Sequence, residues 1–289
     1  MVTVVIPTHG RSPYLAEAVA SIRGDHEILV VEDGTADADE SALDRARLIR
    51  LPRVGRSRAR NAGVEAAASP FVAFLDADDV ALPDRLERQQ AVLESTPGAA
   101  MCFGAVTMAG ADLEPDERSN ELIGARFACL VSGPADFARI LATQCPIYTS
   151  ATMVRRDAFL DSGGYDPRFD AYEDLDLYLR LSRRGGLVPC PGGPVTLYRL
   201  HAQNTPSDLL YANMLGVVAK HLPQARGRER RLLQERRLDA LWGLGRFRSA
   251  RRAAAAAAVR DPLLLADRRF VKRAAGSLLP ATLLRARRK

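Results

Sequence analysis

Residues 71–79 decide the fold and read Phe-Val-Ala-Phe-Leu-Asp-Ala-Asp-Asp. The first five residues form a continuous apolar run, which is typical of a strand covered on both faces of a sheet. The run then ends in three carboxylates within four residues. At the end of a strand these carboxylates raise one another's pKa unless a cation lies among them. The stretch therefore predicts a buried strand with a candidate site at its carboxyl end.

The same pattern of an apolar strand followed by polar residues occurs twice upstream. Val2–Ile6 precedes a turn at Thr8-His9-Gly10, and Glu27–Val31 precedes Glu32-Asp33-Gly34. Strands that alternate with helices predict a mainly parallel sheet, and ligands bind beyond the carboxyl ends of its strands. The predicted strands are 2–6, 27–31, 48–51, 71–75, 100–107, 152–155 and 195–200. The predicted helices are 13–22, 57–68, a segment from 83 onward, 135–142 and 173–183, with a loop through residue 121.

Charge divides the chain of 289 residues into two parts. Residues 1–204 contain 21 Lys and Arg against 29 Asp and Glu, whereas residues 205–289 contain 20 against 6. After Pro206 the Leu-, Ala- and Arg-rich sequence predicts helices and no further strand. We therefore expect a catalytic domain over 1–204 and a basic helical subdomain over 205–289.

The N-terminus and the cysteines predict a cytoplasmic protein. No signal-like segment or membrane-length apolar run is present, and the four cysteines lack paired metal-ligand spacing. The Leu- and Arg-rich residues 277–289 favour weak peripheral contact with the anionic inner face of a membrane. We expect the basic segment 205–289 also to pack on the acidic domain through an apolar helix face, whose residues are Leu232, Leu233, Leu238, Leu241 and Trp242. Since interleaved aromatics and a nucleic-acid-binding motif are lacking, nucleic acid is not an expected partner.

Taken singly, the candidate site residues have ordinary explanations beside the functional ones. The cluster Asp76–Asp79 suits Mg2+ or Mn2+ with substrate phosphates, and equally a solvated turn before a helix. Asp33 accepts a nucleobase N–H or simply starts a turn. The Gly55–Gly63 segment suits a phosphate group or a solvated helix face. Residues 173–176 suit a general base or stabilise a helix start, and His201 suits a metal shell or an exposed surface.

The joint order of these motifs resembles family 2 glycosyltransferases of the GT-A fold. The matching segments cover about residues 1–204 and are Val4-Val5-Ile6-Pro7-Thr8, Val30–Thr35, Gly55-x-Ser57-x-Ala59-Arg60-Asn61-x-Gly63, Phe74–Asp79, Gly163-Gly164-Tyr165-Asp166, Glu173–Leu177 and Tyr198-Arg199-Leu200-His201. The resemblance implies a GT-A-type (Rossmann-like) α/β fold, with a mixed, mainly parallel sheet flanked by helices and a C-terminal helical extension. It also implies an inverting glycosyltransferase that uses a nucleoside-diphosphate sugar, with UDP as the expected nucleotide.

The resemblance also implies a role for each matching residue. The residues expected to bind the donor are Pro7, Thr8, Asp33, Arg60 and Asp76. Those expected to hold a divalent cation, Mg2+ or Mn2+, are Asp76, Asp78 and His201. Asp174 is the expected catalytic base, and the residues expected around the acceptor or beside the reaction centre are Gly164, Glu173 and Arg199.

Two departures from the family pattern concern binding. The turn Thr8-His9-Gly10-Arg11 lacks a frequent Asn, and residues 108–145 match no family segment. A glycan or lipid-linked acceptor of polysaccharide or cell-envelope synthesis is therefore expected only as a class. A non-catalytic nucleotide-sugar or polyanion-binding module is one alternative. A sugar nucleotidyltransferase is another, although Gly10 and Arg11 poorly match the Gly-rich basic loop that it needs after the first strand.

Overall fold

The computed structural model describes residues 1–34, 43, 45–200, 207–266, 270–272 and 274. The chain divides into two compact units, Met1–Gln203 and Asn204–Lys289. None of the helices in the described ranges combines the length and hydropathy that a membrane span needs.

The first unit is built on one eight-stranded sheet. Its strands are β1 Thr3–Thr8, β2 Glu27–Asp33, β3 Ala46–Leu51, β4 Phe71–Phe74, β5 Val80–Ala81, β6 Met101–Ala109, β7 Thr152–Arg155 and β8 Leu187–Arg199. The strand order is β3-β2-β1-β4-β7-β6-β8-β5. Pairings among β1 to β4 and between β6 and β8 are parallel, while β7 runs antiparallel to β4 and β6. This confirms the predicted mixed, mainly parallel sheet.

Helices cover the sheet. They are α1 Leu15–Ser21, α2 Arg56–Ala66, α3 Arg85–Ser95, α4 Glu117–Val131, α5 Phe137–Ala142, α6 Arg156–Asp161 and α7 Glu173–Ser182. The apolar residues of β1, β2 and β4 are almost fully buried, as continuous apolar runs predict. Helix α2 lies close to this sheet because Gly63 has no side chain: a Cβ there would lie 2.4 Å from Val5 Cγ1.

The sequence prediction was wrong about two segments of this unit. The expected loop through residue 121 contains the start of α4, where the Asp116 side chain accepts a hydrogen bond from the Ser119 N–H at 2.7 Å. Most of α4 is exposed or half-buried, so its sequence carries only a weak amphipathic pattern. Strand β8 begins eight residues earlier than expected, and its pairing with β6 is irregular near its prolines and glycines.

The second unit is helical within the described residues. Its helices are α8 Ser207–His221, α9 Gly227–Gly243 and α10 Phe247–Arg260. Leu238 and Leu241 of α9 pack with the buried alanines of α10, and Trp242 packs against this cluster. These contacts form an apolar cluster within the second unit. Residues 277–289 lie outside the described residues.

Candidate active site

A cavity of about 770 Å³ lies at the carboxyl ends of β1, β2 and β4. Parallel strands place their polar C-terminal residues at the same edge of the sheet, which is why motifs far apart in sequence meet here. The lining residues are Pro7, Thr8, His9, Arg11, Ser12, Pro13, Tyr14, Asp33, Arg56, Ala59, Arg60, Asp76, Ala77 and Asp78. The structure thus brings together every residue expected to bind the donor and two of the three expected cation ligands, Asp76 and Asp78.

The acidic turn, residues 76–79, is divided between the cavity and the protein interior. Asp76 and Asp78 are half-buried and line the cavity, whereas Asp79 is buried. The Asp79 Oδ1 accepts a hydrogen bond from the Arg199 N–H at 2.9 Å. Burial, and then the charges of Asp76 and Asp78, raise the pKa of Asp79 well above its ordinary value. Asp79 therefore anchors the turn in the protein interior, while Asp76 and Asp78 face the cavity.

Asp33 is held by the loop that precedes α2. Its Oδ1 accepts a hydrogen bond from the Val54 N–H at 2.5 Å, and its Oδ2 accepts one from the Gly55 N–H at 2.9 Å. Each carboxylate oxygen has a second lone pair, so the group can still accept an N–H from a bound base. The nearby Thr8 Oγ1 is buried without a hydrogen-bond partner in the described structure. Such an orphaned group on a cavity wall fits a polar ligand.

Arg60 connects the cavity to the start of α7. Its Nη2 donates to Asp76 Oδ1 at 2.6 Å, and its Nη1 donates to Glu173 Oε1 at 3.0 Å. The side chain is almost fully buried, and a buried arginine must be paired in this way to offset its desolvation. The sequence suggested a phosphate ligand or an exposed helix face. The geometry instead gives Arg60 two carboxylate partners, one on each side of the site.

Asp174 lies in the first turn of α7, next to Glu173. Tyr172, which precedes them, has a left-handed backbone (φ 59°), a strained conformation that often occurs at functional sites. The Asp174 carboxylate is half-buried and accepts a hydrogen bond from the Leu175 N–H at 2.7 Å. Burial, and then the charge of Glu173, raise the pKa of Asp174 to about 7. A carboxylate with a pKa near neutral pH is suited to general-base work.

Arg199 has a structural position. It is buried, its Nε donates to the Asp78 carbonyl at 2.8 Å, and its Nη2 donates to Glu17 Oε2 at 2.5 Å. Its Nη1 donates to the Ala111 carbonyl, and its guanidinium lies 4.1 Å from the Tyr14 ring centroid. Arg199 therefore holds the acidic turn through the Asp78 carbonyl and the Asp79 carboxylate.

Gly164 is required by backbone geometry. Its φ is +64°, and a Cβ would lie 2.7 Å from Asn61 Oδ1. The Asn61 side chain bonds the N–H and the carbonyl of Tyr165, which ties this turn to α2. Gly164 therefore shapes the turn that leads towards α7, and it is not among the described residues that line the cavity.

The acidic turn fits a hard divalent cation that shares its ligands with a diphosphate. Within the described residues no three His, Cys, Asp or Glu side chains form a complete metal cage. Mg2+ in nucleotide sites is often held by only one or two carboxylates together with phosphates and water. Asp76 and Asp78 on the cavity wall provide that number. His201, the third expected ligand, lies outside the described residues.

Several cavity and support residues were not found from the sequence. Arg11 and Arg56 line the cavity and add cationic side chains. Ser150 is buried, and its Oγ accepts a hydrogen bond from the Asp76 N–H at 3.0 Å. Ser150 is 74 residues from Asp76 in sequence, so only the fold reveals the contact. Arg11 and Arg56 lie in the segments Thr8–Arg11 and Gly55–Gly63, whose basic side chains were the available signal, although neither arginine was singled out.

The fold and this site define a GT-A-type glycosyltransferase, and comparison with known proteins agrees. Residues 3–161 match the model of glycosyl transferase family 2, and the chain belongs to that family. The confirmed family is the one that the motif order predicted.

Three relatives are similar in sequence to part of this chain. An uncharacterized glycosyltransferase of Haemophilus influenzae is 25% identical over 68% of this chain and 67% of its own length. The amylovoran biosynthesis glycosyltransferase AmsE of Erwinia amylovora is 29% identical over 55% of this chain and 59% of its own length. The pre-mycofactocin glycosyltransferase of Mycobacterium tuberculosis is 31% identical over 64% of this chain and 39% of its own length. The chain therefore spans about two fifths to two thirds of these relatives.

A solved structure has a similar fold. S. aureus TarS 1–349 in complex with UDP-GlcNAc matches with a TM-score of 0.61 and 14% identity, covering 96% of this chain and 90% of that chain. TarS 1–349 in complex with UDP matches with a TM-score of 0.60 and the same identity. At this identity the likeness shows the fold.

Proposed function

We propose that this protein is an inverting, cation-dependent glycosyltransferase with a UDP-sugar donor. The acceptor hydroxyl belongs to a glycan or a lipid-linked molecule of polysaccharide or cell-envelope synthesis. One observation carries the proposal: Arg60 joins Asp76 of the cavity to Glu173, the residue beside Asp174. A nucleotide-sized cavity and a carboxylate of raised pKa are thereby connected in one site. Family membership, the AmsE relative and the TarS complexes support the same function.

The donor nucleotide would lie in the cavity at the ends of β1 and β2. Asp33 accepts an N–H of the base, while Pro7 and Thr8 form the adjoining wall. Arg11 and Arg56 supply positive charge for the diphosphate. Asp76 and Asp78 would hold the divalent cation, whose chemistry when bound is to neutralise charge that develops on the leaving diphosphate.

The transfer is a single displacement. Asp174 accepts the proton of the acceptor hydroxyl while that oxygen forms a bond to the anomeric carbon of the donor. The bond from the anomeric carbon to the diphosphate breaks, and its electron pair leaves with the nucleotide. Attack on the face opposite the leaving group inverts the anomeric configuration. In addition to burial, the charge of Glu173 raises the pKa of Asp174, and the charge of Arg60 lowers it. Arg199 keeps the acidic turn in place.

We assign this chemistry to residues 1–204 and a supporting role to the basic helices of residues 205–289. A cytoplasmic location at the inner face of a membrane suits a lipid-linked acceptor. The described part of the second unit has an internal apolar cluster, which supports a packing role for Trp242. Weak contact of residues 277–289 with anionic lipid remains part of the proposal.

A panel of nucleotide sugars tests this function directly. The full chain is incubated with UDP-, GDP-, dTDP- and CMP-sugars, with and without Mn2+, and both thermal stabilisation and nucleotide release are measured. We expect a UDP-sugar to stabilise the fold only with the cation, because a ligand that binds the native state raises its stability. Slow release of UDP should accompany binding. If no nucleotide sugar stabilises the protein or is hydrolysed, the proposal is wrong.

A further inference from the structure

Two tyrosines pack against each other near the acidic turn. The ring centroids of Tyr148 and Tyr198 are 4.8 Å apart, and the ring planes are inclined by 55°. Both residues are half-buried, so part of each is accessible to solvent. Because the planes are inclined, neither ring fully covers a face of the other. Neither tyrosine is among the described residues that line the donor cavity.

Tyr198 is fixed beside the acidic turn by its neighbour in β8. The backbone N–H of the adjacent Arg199 donates to Asp79 Oδ1 at 2.9 Å, and its Nε donates to the Asp78 carbonyl at 2.8 Å. The β8 residue Thr196 also donates from Oγ1 to the Ser150 carbonyl at 2.7 Å. The end of β8 is therefore tied both to the acidic turn and to the segment that carries Tyr148.

The segment that carries Tyr148 contacts both the acidic turn and α7. Gln144 and Cys145 both have left-handed backbones (φ 61° and 48°), and they turn the chain after α5. Two residues beyond Tyr148, the Ser150 Oγ accepts the Asp76 N–H at 3.0 Å. The Oγ1 of the next residue, Thr149, lies 3.4 Å from the Tyr178 hydroxyl of α7. The helix that begins with Glu173 and Asp174 thus adjoins this segment.

Electrostatics agrees with this placement. Burial raises the pKa of Tyr198, and the charges of Asp76, Asp79 and Asp78 raise it further. Burial also raises the pKa of Tyr148 to about 12; Asp174 adds to this increase and Arg126 opposes it. Tyr198 is therefore close enough to the carboxylates of the acidic turn for their charges to raise its pKa. Tyr148 is close enough to Asp174, the expected base, for the same effect.

We infer that Tyr148 and Tyr198 form a carbohydrate-binding subsite that holds the acceptor sugar ring between the acidic turn and Asp174. A pyranose has a face of C–H groups, which packs on the electron-rich face of an aromatic ring. Its hydroxyl edge needs hydrogen-bond acceptors, which nearby carboxylates supply. An acyl chain would contact only the rings, because it offers no hydrogen-bond donor to the nearby carboxylates. The subsite rests on the proposed function, since it defines the class of the acceptor.

Saturation-transfer NMR on the full chain tests the subsite. Methyl α- and β-pyranosides of glucose, galactose and N-acetylglucosamine are added to protein saturated with UDP and Mg2+. We expect ring protons of at least one pyranoside to receive saturation. Tyr148→Leu and Tyr198→Leu should each weaken that binding roughly three- to tenfold, the usual worth of an aromatic contact. Tyr148→Phe and Tyr198→Phe are the matched controls, and they should bind as the wild type does because the ring remains.

The outcomes separate this inference from the proposed function. A wild type that binds UDP but no pyranoside would overturn the subsite and leave the donor site intact. Unchanged pyranoside binding in both Leu variants would also overturn it. If the Leu variants lost UDP-sugar affinity instead, the rings would contact the donor sugar and the acceptor assignment would be wrong. A wild type that binds no UDP would contradict the proposed function itself. Equal melting temperatures of the Leu and Phe variants would exclude misfolding as the cause.

Discussion

The proposed donor side and the proposed acceptor side of the site are built differently. The donor side consists of short segments at the ends of three neighbouring parallel strands, β1, β2 and β4, and the start of α2. The acceptor side combines the start of α7, the segment around Tyr148 and the end of β8. Local motifs determine the first, whereas contacts between residues distant in sequence determine the second. The donor side is therefore the part that a sequence pattern can specify.

Asp174→Asn should separate the two sides with the largest effect. We expect transfer to fall by about two to four orders of magnitude, because the amide cannot accept the acceptor proton. UDP affinity should stay near the wild-type value, since Asp174 is not among the described cavity-lining residues. Steady-state transfer and calorimetry with UDP and Mn2+ measure the two quantities. Glu94→Gln, an exposed change on α3, is the control. A large loss of UDP affinity would show that the two sides are not separable.

Asp78→Ala should instead weaken the binding of UDP. We expect cation-dependent UDP affinity to fall roughly 100-fold, because a cation contributes several kcal/mol through the charges it neutralises. Asp25→Ala removes an exposed carboxylate near the end of α1 and should leave the affinity unchanged. Calorimetry of UDP at several Mn2+ concentrations gives both values. An equal UDP affinity in Asp78→Ala and the wild type would remove Asp78 from the cation site.

The sequence predicted the central sheet, and the five residues expected to bind the donor all line one cavity. A continuous apolar run such as Phe71–Leu75 is stable mainly as a strand covered on both faces of a sheet. The polar residues that follow such parallel strands therefore lie together at one edge of the sheet. The functions of individual side chains were harder to predict. Arg199 was expected near the reaction centre, but its buried contacts with Asp78 and Glu17 make it a support of the acidic turn. No local pattern encodes such partners.

The acceptor side shows the same limit more strongly. Residues 108–145 match no family segment, and only the helix at 135–142 was predicted there. Helix α4 is mostly solvent-facing, and two left-handed residues that are not glycines follow α5. Tyr148 carries no motif, and its neighbour Tyr198 is 50 residues away. Glu173 was placed near the acceptor, while its pairing with Arg60 could be seen only after α2 and α7 were brought together.

Glu173→Gln tests whether the connection between the two sides tunes the base. Asp174 has a pKa of about 7 against an ordinary value of 3.8, and Glu173 is the second cause of the increase after burial. Below that pKa the carboxyl is protonated and cannot accept the acceptor proton, so transfer falls on the acid side. Removing the neighbouring negative charge should lower the pKa of Asp174. The acid limb of the kcat profile should therefore move to lower pH. The plateau should be lower, because the amide introduced by Glu173→Gln can still accept the Arg60 hydrogen bond but no longer balances its charge.

The same substitution has a consequence for stability with a definite sign. A carboxyl whose pKa is raised in the folded state binds more protons there than in the unfolded chain, so stability falls as pH rises from about 4 towards 7. In Glu173→Gln the Asp174 contribution to this fall should be smaller. Profiles of Tm between pH 4 and pH 9 and of kcat between pH 5 and pH 9, for Glu173→Gln and for Glu94→Gln as the charge-matched control, measure both effects. A purely structural Glu173 would lower Tm at every pH and leave the acid limb where it is in the wild type, which would contradict the tuning role.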